Sequence, residues 1–256
     1  TAGNYDGDKD GKETFIVYFP GAKSADPSFY EISLSETGGA LTLSKRTLLF
    51  DNSLLYTGVT GQDIMDGTHF QIPTISLATG DFDGDGRQEL AVAAGSYKKN
   101  YTSMSDMASY ATKLSVLKFS GRYSTNNLNY KIPYSTYLYD TIAQTKDSSD
   151  TLTSEQYRLL YAGSVAAGDV NGDGQDEIIA SGYTGTAKNN FNASGDVTST
   201  SNVYVRSGSD LCIATVSYSA AKASYSRTAV GTVSMNKFTT GHIANDKDSW
   251  PMMATT

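Results

Sequence analysis

The sequence predicts an all-β fold of β-propeller blades, about three of them with four strands each, read as part of a larger propeller. Three observations predict it. An acidic, glycine-containing loop recurs three times along the 256 residues. Every copy runs into a short apolar segment of strand character, and the second and third copies are preceded by one as well. The composition, with 18 Tyr, 24 Gly and many Ser and Thr, suits short strands joined by turns better than packed helices.

The repeat sets the order of elements. Ala78 to Leu90 and Ala166 to Ile178 align without a gap, and Thr1 to Glu13 follows the same pattern with one extra residue after Asp8. In the first repeat, strands are expected over Phe15 to Phe19, Phe29 to Leu34 and Leu41 to Phe50. In the second they are expected over Ile75 to Ala78, Leu90 to Ala93 and Lys113 to Phe119. In the third they are Val165 to Ala167, Ile178 to Ala180, Asn202 to Arg206 and Leu211 to Tyr218. Each repeat has room for the content of one blade, giving a single domain cut at approximately 1–73, 74–161 and 162–256. The tail Pro251-Met252-Met253-Ala254-Thr255-Thr256 reads as the pre-loop strand of a fourth repeat, stopping just before its glycine. Closed propellers usually need four to eight blades, so further blades are expected from the same or another chain.

Polar segments at 98–112, 126–154 and 184–201 are long enough to be expected as functional loops. Within them, Tyr130 to Tyr139 can build a contact surface or pack as an insertion on its own blade. Ser154 to Leu160 reads as one capped helical turn leading into the strand at Val165.

The loops carry the chemistry. In Asp81-x-Asp83-x-Asp85-Gly86-Arg87-x-Glu89, oxygens at alternate positions turn toward one centre as the chain curls. Gly86 permits the bend that brings the Arg87 carbonyl inward, and Glu89 closes the shell from the next strand. Carboxylates gathered in this way repel one another unless a hard divalent cation joins them. Calcium (Ca2+) fits this loose, oxygen-rich set better than magnesium, and the absence of His and Cys argues against zinc or copper. In the gapless partner loop Asn171 replaces one carboxylate, while Asp169, Asp173, Glu177 and the carbonyl of Gln175 remain. In the opening loop, Asn4, Asp6 and Asp8 match by spacing and Asp10-Gly11 offers a shifted register, so the candidates are Asn4, Asp6, Asp8, Asp10 and Glu13.

Gly80-Asp81-Phe82-Asp83-Gly84-Asp85-Gly86 with Glu89-Leu90-Ala91-Val92, and Gly168-Asp169-Val170-Asn171-Gly172-Asp173-Gly174 with Glu177-Ile178-Ile179, resemble the FG-GAP repeat. That repeat is the calcium-binding blade element of integrin α-subunit propellers and of many bacterial surface proteins. The resemblance implies a β-propeller with calcium in hairpin loops between neighbouring strands, used for stability or adhesion outside the cell or at its surface. The repeats here are longer than the family's usual blade, and the ninth loop position is Glu in place of the usual Asp.

Bulk properties narrow the partners. A net charge of -7 and a pI near 4.8 argue against nucleic acid and anionic membranes, and no stretch of about 20 apolar residues is present to insert into a bilayer. Cys212 is the single cysteine, so no internal disulfide can form, and its apolar neighbours point to a buried thiol. Propellers with similar loops also resemble polysaccharide lyases such as the rhamnogalacturonan lyases, whose chemistry needs a base and cationic groups to hold a uronate. His69 and His242 stand isolated, and Lys and Arg form no evident cluster. Asp147 to Thr151, which loosely resembles an adhesion-domain metal motif, reads as a polar turn. The reading is therefore a secreted or surface-attached calcium-binding scaffold for a protein or carbohydrate ligand. The alternative is the propeller portion of a carbohydrate-active enzyme.

Overall fold

Segments rich in Val, Ile, Thr and Tyr fold as strands wherever Gly, Asp and Asn bound them, and no helix forms among the described residues. The computed structural model describes residues 1–5, 14–19, 28–48, 75–94, 111–122, 128–205 and 210–234. The first sheet holds β1 (Ala2–Gly3), β2 (Thr14–Phe19), β3 (Ser28–Thr37) and β4 (Ala40–Leu48), hydrogen-bonded in that order and antiparallel throughout. The second holds β5 (Ile75–Gly80), β6 (Glu89–Ala94), β7 (Lys113–Arg122) and β8 (Leu128–Tyr137), again in sequence order. Each is one four-stranded blade of a propeller-type fold.

The third sheet has seven strands: β9 (Tyr139–Lys146), β10 (Leu152–Gly168), β11 (Glu177–Phe191), β12 (Val197–Val205), β13 (Asp210–Ser219), β14 (Ser224–Arg227) and β15 (Gly231–Ser234). Its main path runs β14-β13-β11-β10-β9, with β12 added to β11 and β15 to β13. The blade pattern persists inside it as the loop-flanking ends of β10 and β11, then β13, then β14. A register irregularity between Tyr161 and Ser164 divides that part of β10 from the half that pairs with β9. The far halves of β10 and β11, together with β9 and β12, extend the blade into an arm.

This arm corrects two expectations. Most of 126–154 and 184–201 is strand and not loop, and Tyr130 to Tyr137 lies in the outer strand of blade two. Ser154 to Leu160 is the interior of β10, hydrogen-bonded to β9 on one side and β11 on the other, so no helical turn forms. Pairing on both edges gives the backbone there partners on two strands, which outweighs the local helix signal. The arm is Ser/Thr/Asn-rich because β9 leaves most of its side chains in solvent, which is why it reads as loop. Of the segment 98–112, only Ala111 and Thr112 fall among the described residues, and His69, His242 and 251–256 lie outside them.

Adjacent blades stack face to face across two cores. Tyr5, Ile16 and Phe29 of blade one meet Leu90, Val92, Leu117 and Phe119 of blade two. Ala91, Ala93, Leu114 and Val116 on the opposite face of blade two meet Ile178, Ala180, Ala214 and Val216 of blade three. Strand β6 is thus buried on both faces, with large side chains turned to blade one and alanines to blade three, as the two-residue period of a strand requires. Cys212 sits in the second core as a free, buried thiol.

Candidate metal centre

The acidic loops are the turns between the first two strands of each blade. Gly80 pairs with Glu89 across the base of loop two, and Gly168 pairs with Glu177 across the base of loop three. The glycine at loop position six, Gly86 or Gly174, holds φ at 83° or 87°, a left-handed bend that a residue with a Cβ disfavours. That bend folds the polar side chains back over the loop.

In loop two, Asp81, Asp83 and Glu89 each present a carboxylate oxygen such that all three atoms lie within 4.8 Å of one another. Asp81 Oδ1, Asp83 Oδ1 and Glu89 Oε1 are buried and accept no hydrogen bond. The partner oxygens are used: Gly86 N–H donates to Asp81 Oδ2 at 2.9 Å, and Phe82 N–H donates to Glu89 Oε2 at 2.9 Å. Asp85 faces outward, and its Oδ1 accepts the Arg87 N–H at 2.9 Å. Burial, reinforced by the charge of Asp83, pushes the Glu89 carboxyl up to about 8. The Tyr225 hydroxyl of β14 is also buried without a hydrogen-bond partner. Its acidity is suppressed by burial first and then by the charges of Glu89 and Asp83, and its ring stacks on Tyr134 of blade two at 5.7 Å.

A cation already serves this cluster. Lys118 Nζ donates to Asp83, donates to Asp85 Oδ2 at 2.7 Å and lies 3.7 Å from Glu89 Oε1. Burial opposes the charge on Lys118, but its hydrogen bonds to Asp83 and Asp85 outweigh that and raise its pKa above the ordinary lysine value. Sequence reasoning missed Lys118, which is remote in the chain. The available signal is its place on β7 directly after Leu117, the residue that pairs with Leu90 at the loop's exit.

Loop three has the same backbone and a different side-chain state. Asp169 Oδ1 accepts from Gly172 and Asp173 N–H at 2.7 and 3.1 Å, and its Oδ2 accepts from Gly174 at 2.9 Å. These bonds, that of Gly174 foremost, hold the Asp169 carboxyl below the usual range. Asn171 Nδ2 donates to Glu177 Oε1 at 2.8 Å, and Val170 N–H donates to Glu177 Oε2 at 3.1 Å. Asp173 Oδ1 accepts the Gln175 N–H at 2.9 Å. Gln175 itself reaches across to Gly84 of loop two, where its Oε1 is buried and unpaired.

Of loop one, only Asn4 and Tyr5 are described; Asp6, Asp8, Asp10 and Glu13 lie outside the described residues. The strand pairing fixes its frame. Gly3 pairs with Thr14, which therefore stands where Glu89 and Glu177 stand in the other loops.

The sequence that builds loop two, a curled acidic turn in a blade's first hairpin, resembles a known element. Residues 74–104 match the family model of the FG-GAP repeat. Blade two contains an FG-GAP repeat. The match spans β5, the FG-GAP loop and β6, the elements that build the carboxylate cluster. No curated protein sequence matches the chain.

Proposed function

We propose that this chain is a calcium-stiffened propeller scaffold that works outside the cell or at its surface, forming one domain of three repeats cut near 73 and 161. It would present a rigid surface to a protein or carbohydrate ligand in adhesion. The observation that carries the reading is the gathering of Asp81, Asp83 and Glu89, which bring one carboxylate oxygen each within 4.8 Å of the others and which each keep a buried oxygen that accepts no hydrogen bond. A buried anion without a partner is costly, so a folded chain that keeps three of them together needs a counter-charge. Lysine supplies part of it, but Lys118 donates no hydrogen bond to the three buried oxygens and comes only within 3.7 Å of Glu89 Oε1.

Asp81, Asp83 and Glu89 would hold the ion, with Asp85 and the Arg87 carbonyl completing the loop's oxygen set. In loop three the corresponding groups are Asp169, Asn171, Asp173, Glu177 and the Gln175 carbonyl, while loop one offers Asn4, Asp6, Asp8, Asp10 and Glu13, the last of them one residue before the register position of Glu89. A bound calcium supplies charge neutralisation and a cross-link between the loop and the first turn of the following strand. Glu89, on β6, links that cross-link to the interface with blade three. The acidic surface disfavours nucleic acid, and no helix among the described residues is long and apolar enough to cross a membrane.

Thermal unfolding with millimolar calcium and with excess chelator tests the reading. At calcium about a hundredfold above Kd, linkage adds about 2.7 kcal/mol, a rise in Tm of roughly 5–10 °C for a chain of this size. An identical Tm in both conditions would overturn the proposal.

A further inference from the structure

We infer that the outward faces of blades one and three dock on each other between two copies of this chain, closing two half-rings into one six-bladed propeller. Strand pairing aligns the three blades residue by residue. Gly3, Gly80 and Gly168 pair with Thr14, Glu89 and Glu177, so Phe15, Leu90 and Ile178 hold one position and Val17, Val92 and Ala180 another. Leu90 and Val92 are buried against blade one, and Ile178 and Ala180 against blade two. Phe15 and Val17 point the same way from blade one, yet they are 40% and 39% exposed. Phe15 pairs with Ile32, and Leu34 pairs with Leu43, so with the two-residue period of each strand these residues and Leu41 share one face. Leu34, Leu41 and Leu43 are exposed as well. A contiguous apolar patch spanning β2, β3 and β4 marks an interaction surface.

Blade three is open on the opposite side. The side chain between those two positions faces the following blade: Ile16 and Ala91 are fully buried there, whereas their counterpart Ile179 is only half-buried. Tyr5 and Phe82, at loop position two, are buried in the two cores, whereas Val170 in the same place is 59% exposed. A Cβ on Gly80 would meet Asp176 Oδ2 of the next blade at 2.7 Å, and one on Gly168 would meet no described residue within 4 Å. Ile179 shares its face with Ile213 and with the exposed Tyr183, through the pairing of Ile179 with Thr215 and of Ser181 with Ile213.

Blade one thus offers the face that takes a preceding blade, and blade three the face that takes a following one. A second copy supplies both, in the sheet-on-sheet contact that the chain already makes twice within itself. The three blades curl as a half-barrel, so a second half completes a ring of six blades, within the four to eight that closed propellers use. Four strands about 4.8 Å apart and about seven residues long give each face roughly 400 Å², hence about 800 Å² buried at one interface and about 1,600 Å² at two. One such contact is below what a stable dimer needs, and two reach it, which favours the closed pair over an open chain of copies. Stacking two blade-one faces on each other would leave both blade-three faces open.

Sedimentation equilibrium of the full chain at micromolar concentration tests the inference. The expected mass is twice the 27.4 kDa of one chain and stays there as concentration rises. Leu43→Glu on blade one and Tyr183→Glu on blade three, both at exposed positions of the single copy, are each expected to weaken association at least a hundredfold. Leu34→Glu and Ser181→Glu repeat the test on the same two faces, and far-UV circular dichroism matched to the wild type shows that the blades still form. Ala193→Glu, in the exposed turn at the end of the arm, is expected to leave the dimer intact. A wild type that sediments as a single chain, a mass that keeps rising with concentration, or a dimer that survives the variants of either face would each overturn the inference. The readout is mass and not calcium affinity, so this interface and the metal reading fail separately.

Discussion

Loops two and three share a backbone and differ in what surrounds it. Loop two is roofed by blade three, which brings Gln175 and Asp176 to it, and three of its carboxylate oxygens are sealed from water without hydrogen-bond partners. Loop three has no such roof among the described residues, and its carboxylates spend their acceptors on the loop's own N–H groups and on Asn171. An acidic loop of this type is therefore only half a site. The neighbouring blade completes it by removing water, and burial converts tolerable acidity into a demand for a cation.

The largest effect should come from the buried carboxylate. Glu89→Gln is expected to weaken calcium binding at loop two about a hundredfold, or about 2.7 kcal/mol, while leaving Tm in chelator nearly unchanged at neutral pH, because a carboxyl raised to about 8 is already largely neutral there. Glu177→Gln, at the same position in loop three, should shift total calcium binding by less than about threefold, because both oxygens are already bonded internally. Equal losses in the two variants, read by calcium titration, would erase the distinction between the loops.

The pH dependence should differ next. Glu89 has a raised pKa, so in metal-free protein its contribution to stability is complete below its ordinary value of 4.5 and is lost as pH rises through about 8. Calcium needs the ionised form. Loop-two affinity should thus fall about tenfold for each unit of pH below that value. Asp169, held low by the Gly174 N–H, should keep loop three charged well into acid. Parallel titrations of Asp83→Ala and Asp173→Ala across neutral pH separate the two profiles.

Lys118→Gln gives the smallest effect and the most specific one. Removing the resident ammonium is expected to raise calcium affinity at loop two by roughly threefold to tenfold, through lost repulsion at an intermediate effective dielectric. The same change should lower Tm in chelator, because Asp83 and Asp85 lose their partner. Stability and affinity move in opposite directions only if Lys118 and calcium serve the same carboxylates.

Much of the fold was legible in the sequence, for a physical reason. The blade strands β2, β6, β7 and β13 are apolar because they face another blade, and the loops between them repeat. The arm was not legible: β9 leaves Thr141, Ala143, Gln144 and Thr145 in solvent and β12 begins with exposed Thr198 and Ser199, so their strand character lies in backbone pairing and not in hydropathy. At the site, the spacing of Asp81, Asp83 and Glu89 was enough to gather them. Lys118 was invisible because it arrives through β7, which pairs with β6 of the same blade, and Gln175 because it arrives from blade three; neither pairing nor stacking leaves a local signal.

Calorimetric titration of calcium into the intact chain, the Asp83→Ala variant and the Asp173→Ala variant tests the central claim most directly. The account predicts a tighter binding phase in the wild type that disappears in Asp83→Ala and survives in Asp173→Ala. A tighter phase that persists without the Asp83 carboxylate, or no calcium binding in any of the three, would contradict it.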